Sequence, residues 1–517
     1  MQIAEKELFK KKIKLVDELL ELLGPFPRDK KVILCHGTFD IVHPGHIRHL
    51  LYAKSKGDIL VVSITGDVHV TKDNYRPYVP QDLRQLNLAA LEFVDYVVTD
   101  FDATPLNNLR ALKPDFFAKG YEYMDGGIHP KTQEELNILE SYGGEIIFTP
   151  GDIVYSSSAL INLGPPDIEI EKLMMLMERE NLSFEDLRKT LEAFSDLRVH
   201  VVGDTIVDSY THCSPIGGMT KTPTMSMRYE KRLDFVGGAG IVAKHLKAAG
   251  AHVFFSTVLG GDPLADFVLK DLRAFGVECL DVIDQTRPTT NKNAVVANGY
   301  RLLKIDTVDN RPISDRVIHL LENNIQSTQA DVVFFCDFRH GIFSKTSIPI
   351  LISAIPESAF RVADSQVASR WGNILDFQGF DLITPNEREA RFSLGDQDSV
   401  VRNLALALME QAKCKTLILK MGEKGLITCR NLPSHDPRSF LAVGSFCDRV
   451  IDAVGSGDAL LAYASLGLYV SKNEAVASIL GSLAAAVECE YDGNIPVTPE
   501  KVLAKIHQLE KRISFLG

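Results

Sequence analysis

The chain has 517 residues, 45% hydrophobic and 24% charged, a length and composition that allow two or three globular domains with a core each. A net charge of −12 argues against a general nucleic-acid binder, because affinity for a phosphate backbone needs a basic surface; a local basic pocket for a nucleotide stays compatible with it. No apolar run reaches the roughly 20 residues of a membrane span, and the Lys- and Glu-rich segment Met1–Lys14 has no apolar signal core, so a cytoplasmic protein is expected.

Glu5–Leu23 carries apolar residues at helical spacing, and Gly24-Pro25 stops that pattern. Val32–Cys35 is an apolar run that reads as a buried strand. It leads through Gly37-Thr38-Phe39-Asp40 to His43-Pro44-Gly45-His46, which opens a helix. A helix N-terminus behind a glycine turn points unpaired amide N–H groups and the positive end of a dipole at a phosphate. His43 and His46 share one face of the first helical turn, and Gly37 and Gly45 have no Cβ to keep a nucleotide from the backbone. The chemistry suggested is attack on the α-phosphate of a nucleoside triphosphate, with both imidazoles stabilising charge at the bridging oxygen.

Apolar runs at Asp58–Thr65, Tyr96–Val98, Asp115–Ala118 and Glu145–Phe148 alternate with helical segments. That predicts a parallel, Rossmann-like sheet with ligands at its C-terminal strand ends. Thr65-Gly66-Asp67, then Lys72, Arg76 and Arg84, then Lys119-Gly120, and finally Ser156, Ser157 and Ser158 follow those ends. Lys72 and Arg84 also read as solvated surface charges, and the serines as a plain helix cap. Lys119, directly after an apolar strand, is seldom placed there for packing.

The pair Gly37–Asp40 and His43–His46 resembles the signature of the cytidylyltransferase-like nucleotidyltransferases, over roughly residues 30–162. The resemblance implies a catalytic role for His43, His46 and Lys72. It also implies phosphate contacts from Gly37, Thr38, Phe39, Lys119 and Ser156–Ser158. The family's Arg-Thr-Glu-Gly-Ile before the serine run is replaced here by Gly151-Asp152-Ile153-Val154-Tyr155, so CTP and ATP both stay open as nucleotidyl donor.

Asn162-Leu163-Gly164-Pro165-Pro166 marks a break. Asp167–Phe194 is helical in pattern, with Leu173, Met174, Leu176 and Met177 on one side and a capping-box signal at Ser183 and Asp186. Its apolar face reads as packed against a domain, or else as a methionine-bearing binding surface. Val199–Asp204 begins a second α/β unit. Asp204 and Asp208 stand four apart after its first strand, suited to accept hydrogen bonds from sugar hydroxyls. Tyr210–Phe235 reads as a small projecting sheet, and Gly237-Gly238 leads into a helix. Farther on, Gly455, Ser456 and Gly457 open a helix whose amides form an anion hole, and Asp458 is placed to take a proton from an attacking hydroxyl. The small-residue run Ala459–Val470 reads as a buried helix. Eight scattered cysteines without Cys-x-x-Cys imply reduced thiols rather than a disulfide frame or a zinc site.

Asp452-Ala453-Val454-Gly455-Ser456-Gly457-Asp458 resembles the signature of the ribokinase-like (PfkB) carbohydrate kinases, and the likeness extends over roughly residues 196–517. It implies that Asn386 and Glu389 order water around Mg²⁺ and phosphate, and that the Gly422–Gly425 turn lies near ATP. It also places Gly237 and Gly238 with Asp204 and Asp208 in the sugar pocket. Ile241 departs from the substrate-binding Asn of many relatives, and His340 stands where heptose kinases have Lys. The Tyr210–Phe235 segment is similar to a β-lid that pairs subunits, which implies a homodimer.

The expected organisation is thus a nucleotidyltransferase domain over 1–163, a helical linker over 164–195 and a carbohydrate kinase domain over 196–517. The combination resembles the bifunctional heptose kinase/adenylyltransferases with the domain order reversed. It implies a soluble enzyme that phosphorylates a sugar or sugar phosphate with ATP and joins a sugar phosphate to a nucleoside monophosphate, with Mg²⁺ at both sites and no nucleic-acid or membrane partner. The alternative is a kinase-like domain that binds nucleotide without turnover and regulates the transferase, or acts on an unrelated substrate.

Overall fold

The computed structural model describes residues 9–70, 77–120, 130–149, 169–216, 225–366, 374–433, 436–491, 493 and 495–516. The first sheet has five strands: β1 (Val32–Gly37), β2 (Ile59–Thr65), β3 (Tyr96–Asp100), β4 (Phe116–Gly120) and β5 (Glu145–Thr149). They lie in the order β3-β2-β1-β4-β5, and every pairing is parallel. A parallel strand covered on both faces needs a continuous apolar run, and Val32–Cys35 and Leu60–Val62 are all 1% exposed or less. The order reverses between β1 and β4. Such a switch point opens a crevice at the carboxyl ends of the two strands, here at Gly37 and Lys119.

The expected continuous helix over Glu5–Leu23 is not what forms. Among the described residues of that stretch, Phe9 and Lys10 are helical, Ile13 then makes a parallel bridge to Val97, and a separate helix runs from Val16 to Leu23. Hydrogen bonds from Lys14 N to Val97 O and from Val97 N to Lys12 O hold residues 12–14 along the edge strand β3. Sheet pairing thereby overrides a local helical pattern.

The remaining strands are β6 (Arg198–Gly203), β7 (Thr205–Pro215), β8 (Met227–Gly238), β9 (His252–Ser256), β10 (Val258–Leu259), β11 (Glu278–Cys279), β12 (Val282–Ile283), β13 (Asn291–Ala297), β14 (Tyr300–Thr307), β15 (Val332–Asp337), β16 (Phe360–Ser365), β17 (Leu382–Ile383), β18 (Thr416–Lys420), β19 (Leu426–Arg430) and β20 (Phe440–Val443). Nine of them form one sheet in the order β11-β9-β6-β15-β16-β17-β18-β19-β20, parallel up to β18 and antiparallel beyond it. A separate four-stranded lid, β14-β13-β7-β8, projects from it, and β10 pairs with β12. The sequence expectation covered β7 and β8 of the lid but not β13, which is half-buried, nor β14, which is exposed along its length.

The apolar run after Asp458 lies in the helix Ser456–Ser471, buried from Ala459 through Leu468 and packed on the helix Glu474–Cys489. The linker forms two helices, Glu169–Arg179 and Phe184–Glu192, the second opened by the expected capping box of Ser183 and Asp186. Leu173, Leu176 and Met177 are buried in the core of the nine-stranded unit, so this face is a packing surface. All eight cysteines are free. No described helix is long and apolar enough to cross a membrane.

Candidate functional sites at two sheet ends

The first site is built on a strained turn. After β1 the chain reverses through Phe39, whose φ of 47° lies in the left-handed region, a conformation costing an L-residue about 1 kcal/mol or more. What holds it is Arg84, on the helix Gln81–Ala89. Its side chain is wholly buried and donates to Thr38 O, to Val79 O at 3.0 Å, to Thr65 O at 2.8 Å and to the Asp67 carboxylate at 2.7 Å. The reading of Arg84 as a solvated surface charge is therefore corrected: a guanidinium carries five N–H donors, and this one, through four acceptors, ties the ends of β1 and β2 together. Asp40 completes the frame by accepting the Tyr78 and Val79 amides at 3.0 and 2.8 Å.

Beyond the turn, His43 caps the helix Pro44–Lys54, its Nδ1 accepting the Gly45 N–H at 3.1 Å. A Cβ on Gly45 would stand 2.9 Å from the His43 ring, so glycine is what lets the imidazole fold back. With Nδ1 an acceptor, the neutral ring carries its proton on Nε2. Burial, then Arg48, lowers the His43 pKa and favours that neutral form. His46 stacks on it with centroids 3.9 Å apart, and Phe39 meets His46 edge-on at 5.0 Å.

Lys119, at the end of β4, donates to Glu135 on the helix Pro130–Glu140 and to Thr132 Oγ1 at 3.2 Å. His36, a third histidine to which sequence reasoning gave no role, bridges Ser63 Oγ at 3.0 Å and Thr65 Oγ1 at 3.3 Å. Burial, then Lys119, pushes its pKa down to about 4. The structure therefore brings Gly37, Thr38, Phe39, His43, His46 and Lys119 to the sheet's switch point. Lys72, Arg76, Ser156, Ser157 and Ser158 lie outside the described residues.

The second site gathers at the carboxyl ends of β16 and β18. Gly455, at φ 89°, turns the chain into the helix Ser456–Ser471, so Ser456, Gly457 and Asp458 occupy its positive end. Asp458 is half-buried at its surface and enclosed by protein behind. That burial, with Asp364 next in weight and Lys420 opposing, pushes its pKa up to about 8. Asn386 and Glu389 form a reciprocal cap on the helix Glu387–Leu394: Glu389 N donates to Asn386 Oδ1 at 2.9 Å, and Asn386 N to Glu389 Oε2 at 2.7 Å. Burial, with Lys420 opposing it, raises the Glu389 pKa.

Gly422 (φ 61°) and Gly425 (φ 80°) flank the turn after β18; a Cβ on Gly425 would stand 2.1 Å from Val443 O. Lys420 Nζ meets Asp364 Oδ1 at 3.0 Å, and Thr384 Oγ1 donates to the same oxygen at 2.8 Å. Neither Asp364 nor Lys420 drew a role from the sequence. The available signal was a charged residue closing an apolar strand, the pattern that singled out Lys119.

The four pocket residues divide. Asp208 belongs with the site, for it contributes to the field at Asp458. Gly237 makes room for it, since a Cβ there would stand 2.2 Å from Asp208 Oδ2. Asp204 does something else. Its carboxylate accepts the backbone N–H groups of Phe338, His340 and Ile342 at 3.1, 3.0 and 3.3 Å, so it holds the turn after β15 rather than presenting free oxygens to a sugar. Gly238, at φ 59°, opens the helix Ala239–Ala248 directly against Asp204 O. Ile241 is 1% exposed and part of the packed interior. His340 is held through Nδ1 to Asn310 Oδ1 at 2.8 Å, and burial, then Lys292, lowers its pKa to about 4.

A Rossmann-like sheet with stacked histidines at its switch point, followed by a nine-stranded sheet with a lid and a helix-capping glycine turn, defines a two-part α/β protein of nucleotide-handling type. A family model described as pfkB family carbohydrate kinase matches residues 197–501, and one described as cytidylyltransferase-like matches residues 34–162. The former spans more than half of the chain, which belongs to the pfkB family of carbohydrate kinases.

Proteins named "Bifunctional protein HldE" are similar. The one from Desulfatibacillum aliphaticivorans is 27% identical over 340 residues, covering 64% of this chain and 66% of its own length. The one from Campylobacter jejuni subsp. doylei is 45% identical over 119 residues, 23% of this chain and 25% of its own. The match thus spans just under two thirds of the first relative. The domain order here is reversed relative to these proteins. Among solved structures, phosphofructokinase-2 from Escherichia coli in complex with potassium superposes with a TM-score of 0.51 at 17% identity, over 61% of this chain and 99% of that one. At that identity the likeness concerns the fold.

Proposed function

We propose that the chain is a bifunctional enzyme that makes a nucleotide-activated sugar, with a nucleotidyltransferase domain over 1–163, a linker over 164–195 and a carbohydrate kinase domain over 196–517. The observation that carries the reading is Asp458, a carboxylate with a raised pKa in the first turn of a helix behind the left-handed Gly455.

In the kinase half, Asp458 takes the proton of the acceptor hydroxyl as that oxygen attacks the γ-phosphorus of ATP and ADP departs. Ser456 and Gly457, at the positive end of the helix, stabilise the phosphoryl oxygens. Asp208 faces the acceptor, and the Gly422–Gly425 turn lies beside ATP. In the other half, an oxygen of the sugar phosphate attacks the α-phosphorus of CTP or ATP and pyrophosphate leaves. His43, a donor through Nε2, and His46 stabilise the charge on the α-phosphate, aided by Lys119 and, from outside the described residues, Lys72 and Ser156–Ser158.

Among the described residues no cluster of acidic and other ligating side chains stands ready to hold a metal by itself. Mg²⁺ fits this site as a partner of the nucleotide phosphates, with Asn386 and Glu389 reaching it through water, and supplies charge neutralisation. Exposed apolar side chains on the lid, Leu303 and Ile305 at 53% each, support pairing with a second copy into a homodimer. The eight free, scattered cysteines support a cytoplasmic location.

The test measures ATP consumption against a panel of sugars and sugar phosphates, and pyrophosphate release from nucleoside triphosphates against sugar 1-phosphates. Asp458→Asn is expected to lose the first activity alone and His46→Ala the second alone. Full kinase turnover in Asp458→Asn overturns the kinase reading. ATP binding without turnover on any acceptor would make the kinase domain a regulator of the transferase.

A further inference from the structure

The pair Lys420–Asp364 lies behind the phosphoryl-transfer turn and is not consumed by the reaction just described. Lys420 ends β18 and Asp364 lies near the end of β16; their side chains are 15% and 5% exposed and meet at 3.0 Å. Thr384, directly after β17, donates to the same Asp364 oxygen at 2.8 Å and fixes its orientation. A Cβ on Gly457 would stand 3.5 Å from Lys420 Nζ, so the ammonium reaches under the residue next to Asp458. Burial pulls the Lys420 pKa down, but Asp364 and Glu389 more than offset it and the side chain stays charged.

The charges that act on Asp458 come from several elements: Asp364 on β16, Lys420 on β18, Glu488 on the helix Glu474–Cys489 and Asp208 on the lid strand β7. Cys336 on β15 lies within the same field. Lys420 is the one cation in this set; the carboxylates all oppose ionisation of Asp458.

We propose that the Lys420–Asp364 ion pair is the positioning element of the kinase site: it holds a fixed cation under the Gly455–Asp458 turn and sets the pH range in which Asp458 accepts a proton. The proposal rests on the reading of Asp458 as the base. The physics makes a directional demand. Without the ammonium, Asp458 faces Asp364 with no intervening positive charge and holds its proton more tightly. Without the Asp364 charge, Lys420 is released to favour the Asp458 carboxylate, which then ionises more readily. A pair that only packs strands together lowers stability in both variants and produces no opposed shifts.

The experiment titrates Asp458 directly in the full chain without substrate, from the carbonyl stretch of its protonated carboxyl in difference infrared spectra against Asp458→Asn. Lys420→Met is expected to move the midpoint up by about one pH unit or more, and Asp364→Asn to move it down by a similar amount. Unchanged midpoints, or shifts in the same direction, overturn the proposal. If Lys420→Met does not fold, Asp364→Asn alone decides: an unchanged or raised midpoint is the overturning result. Where an acceptor sugar supports turnover, the rising limb of the kcat–pH profile follows the same displacements. Absence of phosphoryl transfer in the wild type would overturn the kinase reading while leaving this titration intact, so the two failures are distinguishable.

Discussion

Replacing Arg84 by methionine removes one guanidinium and leaves four acceptors behind: the carbonyls of Thr38, Thr65 and Val79 and the Asp67 carboxylate. Deleting one member of a buried ion pair costs about 3–5 kcal/mol, and each stranded buried acceptor about 1–3 kcal/mol. The sum is not reached, because the Asp67 side chain is 12% exposed and also meets Arg402 at 3.3 Å. A loss of about 4 kcal/mol is expected, a large share of a domain stability of about 5–15 kcal/mol. Hydrogen exchange followed by mass spectrometry on the full chain localises the effect. Protection is expected to fall in β1, β2 and the helix Gln81–Ala89, and to remain in β15–β18. Pyrophosphate release falls with it, because the Phe39 turn that presents His43 loses its support, while ATP consumption by the kinase half persists. A change below about 1 kcal/mol, the ordinary range for a surface substitution, would refute the reasoning.

Four further outcomes follow from the same geometry. Asp458→Asn lowers kcat of the kinase by about 10²–10⁴-fold, and in the wild type kinase turnover rises with pH through about 8, as the base with its raised pKa loses its proton; a flat profile contradicts the assignment. His43→Gln retains a side-chain acceptor for the Gly45 amide but loses the imidazole stack, so pyrophosphate release drops in steady-state assays while the melting temperature moves little. Gly425→Ala forces a side chain to within 2.1 Å of Val443 O at φ 80°, and both ATP affinity and thermal stability fall, read by calorimetry. His200 is buried between Thr328 Oγ1 and Ser256 Oγ with its pKa lowered from 6.5 to about 3. Its contribution is therefore complete above pH 6.5 and is lost as pH falls from there toward 3. The denaturation free energies of wild type and His200→Gln converge over that window, by up to about 1.4 kcal/mol per pH unit.

What the sequence made legible follows period and punctuation. The strands β1 to β5 stand out because a doubly covered parallel strand must be apolar without interruption. His43, His46 and Asp458 stand out because they follow glycine turns at helix starts. The lid strand β14 was missed for the opposite reason: Tyr300–Thr307 is exposed along its whole length and carries no buried face to set a pattern. The Glu5–Leu23 pattern reads as one helix because the edge pairing of Ile13 with Val97, which interrupts it, is a long-range event that no local window contains. Arg84 was ambiguous because charge in a sequence says nothing about which carbonyls will need donors; only the meeting of the Thr38, Thr65 and Val79 turns defines its place. Asp204 and Asp208 look equivalent as letters four apart. The turn after β15 separates them by engaging the Asp204 carboxylate, while Asp208 on the lid contributes to the field at Asp458.

The same separation bears on what the kinase half recognises. On the reading proposed above, the transfer machinery consists of backbone amides, a glycine turn and Asp458, groups that act on a phosphoryl oxygen and a hydroxyl of any acceptor. Recognition has to come from side chains around the acceptor, and there the chain presents a buried Ile241, an Asp204 committed to the backbone and a His340 held by Asn310. Burial and Lys292 keep His340 uncharged at neutral pH, so this corner offers a phosphate monoester no cation from His340 and offers a hydroxyl a neutral partner. Two cations lie near this corner: Arg287, which donates to His340 O at 3.4 Å but is paired with Asp284 at 3.1 Å, and Lys292, set in the lid beside Asp208 and Asp306. If the lid discriminates a sugar from its phosphate ester, Lys292→Met is expected to raise the KM of phosphorylated acceptors several-fold more than that of neutral ones; equal effects on both would move the discrimination elsewhere, Arg287 being the other cation at this corner.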